Sequence, residues 1–242
     1  MAQRWANAKQ VAARDSFTFC PSPSTITTVP TDWFPRLIPL PHWERIASGV
    51  AQRLRTLNKF LLDVYCGDQT VVPQEIIESG RYYKPELKGT TPPGEVFVHI
   101  YGIDLVHMGR GEYAVLEDNL RVPSGIAYQM KALQLGEECV PEFRGQYSVL
   151  PYDIIPAYTR LFGSVTNVES PNTVLLTDGK NGSAFFEHRY LSDLLGIPLV
   201  EGGDLYVDSQ HRVWCRTLDG DFPVHVVYRR VEDLEMFVPG LT

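Results

Sequence analysis

Leu116-Glu117-Asp118-Asn119-Leu120-Arg121-Val122-Pro123-Ser124-Gly125 is the stretch on which the reading of this chain turns. On an extended strand alternate side chains share a face, so Glu117 and Asn119 point the same way. Just upstream, residues 107–112 carry the signature of a hairpin turn, with strands expected at 96–100 and 113–116. If the hairpin pairs its two arms, Asp104 lies on the neighbouring strand and faces the same spot. Two carboxylates and an amide oxygen form the hard-oxygen set that magnesium takes, with water and phosphate completing an octahedron. Arg121 then stands where a cation can reach an anion beside the metal, and Pro123-Ser124-Gly125 turns the chain sharply. Spacing alone is a weak signal, because Asp and Asn near a turn also serve ordinary turn chemistry.

Upstream of this stretch, residues 1–40 read as an irregular segment, rich in Ser, Thr and Pro from 15 onward. Trp43, Ile46, Ala47, Val50, Leu54, Leu57, Leu61 and Val64 then recur at three- and four-residue steps, which predicts a long helix between Pro41 and Gly67. A short helix is expected at 73–79, and a Pro- and Gly-rich loop at 80–94. Downstream, a helix is predicted from the Pro-Ser-Gly turn to about 135 and another at 153–162. Val174-Leu175-Leu176 reads as a buried strand. Ser183 is the expected cap of a helix at 184–195. A short strand at 198–200, a hairpin at 205–215 and a last strand at 224–228 follow. Strand–helix–strand spacing of this kind predicts a small Rossmann-like α/β unit. The domain limits drawn are therefore 1–40, 41–150 and 151–242.

Composition narrows the class. The chain has 242 residues, 44% hydrophobic and 21% charged, values of an ordinary globular protein. A formal net charge of −7 argues against nucleic acid or an anionic membrane as main partner. The four cysteines lie far apart without a C-x-x-C pair, which disfavours a zinc knuckle or redox motif. No run reaches the roughly 18 apolar residues of a membrane span, and the start lacks the apolar core of a secretory signal. The expectation is a cytoplasmic protein.

Residues 103–105, 113–119 and 123–125 together resemble the metal-binding strand pair of ATP-grasp enzymes. The match is nearer to the circularly permuted ATP-grasp type 2 family, related to glutathionylspermidine synthase-like proteins. Leu54-Arg55-Thr56-Leu57-Asn58-Lys59, Asn181-Gly182-Ser183-Ala184-Phe185-Phe186-Glu187-His188 and Tyr228-Arg229-Arg230-Val231-Glu232-Asp233 share its character. The resemblance implies a mixed α/β fold in permuted order: a metal-binding ATP-grasp subdomain, then a Rossmann-like pre-ATP-grasp subdomain. It implies ATP and Mg2+ as cofactors, with Asp104, Glu117 and Asn119 as metal ligands and Arg121 as the catalytic cation. It implies a carboxylate–amine ligase acting through an acyl phosphate on small-molecule acids and amines. Two departures stand out. Gly102 occupies the place where unpermuted relatives carry Arg, and the lysine-bearing strands that grip the nucleotide are expected beyond Thr242. Hence the alternative of a catalytically incomplete fragment or binding module, needing a complementary chain or a homo-oligomer.

Ser124, Asn181, Ser183, His188 and Arg229 are the candidate substrate-side residues. Each has a plainer reading: turn chemistry for Asn181 and Ser183, a surface or capping role for His188, and surface pairing of Arg229 and Arg230 with Glu232 and Asp233. A nucleotide enzyme built on 172–230 alone would need a Gly-rich phosphate loop after Leu176. Asp178-Gly179-Lys180-Asn181-Gly182 fits that loosely, which ranks this third reading last.

Overall fold

The computed structural model describes residues 2–22, 25–32, 36–145 and 154–232. In chain order they form α1 (Ala2–Arg14), β1 (Thr18–Ser22), β2 (Thr25–Thr28), α2 (Leu40–Cys66), α3 (Gln74–Glu78), β3 (Gly102–Gly109), β4 (Glu112–Asn119), α4 (Ile126–Cys139), α5 (Ile154–Ser164), β5 (Thr173–Leu176), α6 (Phe185–Leu195), β6 (Leu199–Val200), β7 (Leu205–Val207), β8 (Val213–Cys215), β9 (Phe222–Pro223) and β10 (Val226–Arg229). The fold is mixed α/β. The chain divides into two compact units, Ile38–Pro123 and Met1–Leu37 with Ser124–Thr242.

The larger unit is built on a parallel sheet of order β10-β5-β6. All four residues of β5 are buried, as expected of a central parallel strand covered on both faces. Val174, Leu176 and Val200 share a core with Leu205, Cys215 and Val224, which ties the parallel sheet to the antiparallel β7-β8-β9 sheet. A second core gathers Ala8, Ala12, Phe17, Leu135 and Phe186 from α1, the turn after it, α4 and α6. This explains why the boundary falls at Pro123/Ser124 and not at 150/151: α4 is packed on α1 and α6. Residues 1–40, expected to be irregular, instead carry α1 and the β1–β2 hairpin. Residues 33–35, 146–153 and 233, on which parts of the sequence reading fell, lie outside the described residues.

The smaller unit joins the 27-residue α2 to the β3–β4 hairpin. Tyr65 of α2 is its best-buried aromatic, stacked on Tyr83 with centroids 5.8 Å apart and tilted against Phe97 at 5.4 Å. The strand expected at 96–100 is not formed; β3 begins at Gly102. The reason is Asn58 of α2. Its Oδ1 accepts from the backbone N–H of Phe97 and Val98, both at 2.9 Å, and its Nδ2 donates to the Val98 carbonyl at 3.2 Å. The side chain satisfies the groups a ladder partner would otherwise engage.

Candidate functional site

The β3–β4 register sets Asp104 directly opposite Glu117, and Gly102 opposite Asn119. Directly opposed residues share a face of an antiparallel pair, so Asp104, Glu117 and Asn119 stand on one face of the hairpin. Asp104 and Glu117 are exposed and Asn119 is half-buried. Beyond this point the register slips by one: Leu105 pairs with Val115, so Leu116 is a bulged residue. Gly102 has a local reason to be glycine. A Cβ there would lie 2.6 Å from the Pro123 side chain, which folds back over it. Arg121 lies over the Tyr82 ring, 4.0 Å from its centroid.

Asp118 faces the other way, toward α2. Arg53 grips it as a fork, Nε to Oδ1 and Nη2 to Oδ2, both at 2.6 Å. The Tyr101 hydroxyl also donates to Oδ1. Arg53, helped by Tyr101, holds the Asp118 carboxyl below the usual carboxylate range. Burial, with Asp118 nearby, pushes the Tyr101 phenol up to about 12. At the other end of the hairpin Arg45 donates to the Gly111 carbonyl. There a Cβ on Gly111 would meet the His42 ring at 2.4 Å. Helix α2 therefore straps the hairpin at both ends.

The donor set suits a hard divalent cation, since two carboxylates and an amide oxygen share one accessible face. Among the described residues no group of three or more His, Cys, Asp and Glu could hold a metal ion. A metal here needs the Asn119 oxygen as its third protein donor.

In the larger unit the centre of charge is Glu187 with Arg230, side chains 0% and 2% exposed and 2.9 Å apart. Glu187 Oε2 accepts from the backbone N–H of Gly125 at 2.7 Å and of Ala127 at 3.0 Å. It thereby supplies the acceptor that the first turn of α4 lacks. Gly125 stands at φ 138°, a conformation open to glycine. Arg230 also donates to Ser124 Oγ at 2.7 Å. The Ser-Gly turn is thus pinned by two buried charges from α6 and the end of β10.

His188 is buried, against the surface or capping role considered for it. Its Nδ1 lies 2.8 Å from Thr177 Oγ1 and 3.9 Å from Asp178 Oδ1. Burial, reinforced by the Arg230 cation, pushes its pKa down to about 3, so the imidazole is neutral at neutral pH. Asn181 and Ser183 are exposed, in the loop between β5 and α6. Ser183 does not cap α6: the cap position is Ala184, without a side-chain bond, and Ser183 accepts from Cys20 N–H through its carbonyl. Gly182 admits Asp178, whose Oδ1 occupies the space a Cβ would need. Arg229 is the last, half-buried residue of β10, and Arg230 pairs with Glu187. The β5–α6 loop and the Arg229-Arg230 pair follow the carboxyl ends of adjacent parallel strands, where α/β sheets bind ligands.

Sequence reasoning passed over Glu187, Arg53 and Tyr101 as site-shaping groups. For Glu187 a signal existed: a carboxylate among Phe185, Phe186 and Leu191 on one short helix must be paired if that helix is buried. Arg53 has no such signal, being one of several charges on the polar side of α2.

With this geometry in hand, comparison with known proteins is direct. The chain belongs to the circularly permuted ATP-grasp type 2 family, whose model matches residues 35–239. An uncharacterized protein of Mycobacterium tuberculosis is 36% identical over 212 residues, covering 84% of this chain and 38% of the relative. A protein of Frankia casuarinae described as a putative glutamate–cysteine ligase is 37% identical over 218 residues, 86% of this chain and 25% of that protein. The chain therefore spans well under half the length of these relatives. Among solved structures, a glutathione synthetase-like effector from Globodera pallida in its apo form superimposes with a TM-score of 0.58 at 17% identity. That match covers 96% of this chain and 57% of the effector. At that identity the likeness bears on the fold alone. Among the described residues no helix is long and apolar enough to cross a membrane.

Proposed function

We propose that this chain carries the magnesium-presenting part of an ATP-dependent carboxylate–amine ligase, with its subdomains in permuted order: metal strands first, parallel-sheet unit after them. One observation carries the reading: Asp104 stands opposite Glu117 and Asn119 follows on the same face. The family match and the ligase description of the Frankia relative support the reaction class.

Asp104, Glu117 and Asn119 would hold Mg2+, which would offset phosphate charge during phosphoryl transfer. In the proposed reaction a substrate carboxylate oxygen takes the γ-phosphoryl group of ATP and ADP leaves. An amine nitrogen then attacks the acyl carbon and phosphate departs. Arg121 is the proposed cation for the transferring phosphoryl group. Ser124, Asn181, Ser183, His188 and Arg229 are the proposed substrate-side residues. His188, being neutral, acts there as a hydrogen-bonding group and not as a cation.

The test is ADP and phosphate release by the full chain with Mg2+-ATP and a panel of acids and amines. The expected result is turnover that needs both substrates and falls at least a hundredfold in Glu117→Gln. Equal turnover in that variant would sink the metal assignment. Mg2+-dependent ATP binding without turnover would instead identify a nucleotide-binding module that works with a complementary chain or a second copy.

A further inference from the structure

Asp118 is the residue between two proposed metal donors, and it points away from both. Its grip by Arg53 has features that an ordinary surface ion pair lacks. It is bidentate at 2.6 Å, it is joined by Tyr101, and its guanidinium comes from a helix 65 residues upstream in sequence. The place is also special. The bulge at Leu116 interrupts the ladder immediately before Glu117, and β4 ends at Asn119. A bulge disrupts the ladder locally and increases the twist of the strand. Because side chains alternate, a rotation of the backbone at 118 swings Glu117 and Asn119 together, away from Asp104.

We infer that Arg53, Tyr101 and Asp118 are positioning residues that set the aim of the metal donors Glu117 and Asn119. The inference rests on the metal-site reading above. A fork-to-carboxylate contact fixes the plane of the carboxylate as well as its place, and through it the twist of the strand end. Energetics point the same way. The Arg53 side chain is 46% exposed, so solvent screens the pair and tempers its contribution to stability. Its consequence is geometric.

The experiment is a Mn2+ titration of the full chain, read from the free-ion signal in electron paramagnetic resonance. It uses the unmodified protein, Glu117→Gln, Arg53→Ala and Arg53→Lys. Removing a cation near the donors would, by Coulomb attraction alone, tighten Mn2+ binding. Loss of aim weakens it. The expected result is binding by the unmodified chain, none by Glu117→Gln, and affinity about 10- to 100-fold weaker in Arg53→Ala, the range for residues that orient metal ligands. Arg53→Lys keeps the charge and loses the fork, and should fall between the two with its circular dichroism spectrum unchanged. If Arg53→Ala does not fold, Arg53→Lys decides alone, and wild-type affinity there overturns the proposal. Wild-type or tighter affinity in Arg53→Ala with binding lost in Glu117→Gln overturns the positioning role while leaving the metal site standing. No binding by the unmodified chain, or binding by Glu117→Gln equal to it, overturns the metal reading and the positioning role with it.

Discussion

Glu187, in the unit built on the parallel sheet, and Glu117, on the β3–β4 hairpin, are the same side chain put to opposite uses. Glu187 is wholly buried and meets a guanidinium and two backbone amides. Glu117 is exposed and opposes a second carboxylate. Burying a charge is tolerable only when every oxygen finds a partner. Placing two like charges side by side costs free energy unless something positive arrives between them. The first arrangement holds a fold together, and the second fits the proposed cation site. A strong interaction therefore marks the frame of this protein, and an uncompensated one marks the proposed site.

The comparison breaks first at Glu187. Glu187→Ala takes from the buried Arg230 the carboxylate at 2.9 Å and strips the acceptor from Gly125 and Ala127. Removing one partner of a buried pair typically costs about 3–5 kcal/mol. The chain should lose that much in urea denaturation, a large share of the stability of any domain. A loss below about 1 kcal/mol would mean that the pair does not anchor the Ser-Gly turn.

His188 sharpens the same contrast through pH. In the unfolded chain its imidazole titrates near the usual 6.5, whereas in the folded chain it protonates only near pH 3. Above pH 6.5 both states are neutral and His188 adds no pH dependence. As pH falls below 6.5 the unfolded state takes up the proton first, so stability falls, down to about pH 3. Over the interval from 6.5 to 5 that loss is roughly 2 kcal/mol at the linkage rate of about 1.4 kcal/mol per pH unit. The neighbouring Arg230 cation opposes protonation, and Asp178 at 3.9 Å is the nearest facing acid. In His188→Asn, which keeps an acceptor toward Thr177, the urea midpoint should change much less between pH 6.5 and 5. An unchanged slope would place the titrating group elsewhere.

How much of this was readable beforehand follows from where each signal lives. Helix α2 was legible because large apolar side chains recur along it. Strand β5 was legible because it is apolar at consecutive positions. Helix α1 was not, because its buried face is made of Ala8 and Ala12, and small residues leave no hydrophobic rhythm. The start of β3 was misplaced because residues 96–100 have strand-like composition, while the groups that decide their structure belong to Asn58, some 40 residues earlier. The same limit applied at the site. Alternation along a strand put Glu117 and Asn119 on one face from local sequence alone. The partners that hold the frame, Arg53 on Asp118 and Arg230 on Glu187, are separated from them by 65 and 43 residues. Periodicity is a local property and carries no information on such pairs.

The smallest predicted effect has the most informative sign. Asp104→Asn removes one of two opposed carboxylates from the hairpin. Like charges directly across an antiparallel pair destabilise it by about 0.2–1 kcal/mol. Without divalent cation, the variant should therefore be slightly more stable than the natural chain, and the difference should shrink as salt screens the exposed pair. Adding Mg2+ should reverse the order, because a ligand that binds only the folded state stabilises it by mass action. The natural chain should gain and the variant should not. A stabilising Asp104→Asn with no Mg2+ response in either protein would leave two opposed carboxylates with no cation to justify them, and the contrast between frame and site would lose its functional half. A destabilising Asp104→Asn would mean that Asp104 is engaged in the fold itself, and that the hairpin belongs with Glu187 on the structural side of the comparison.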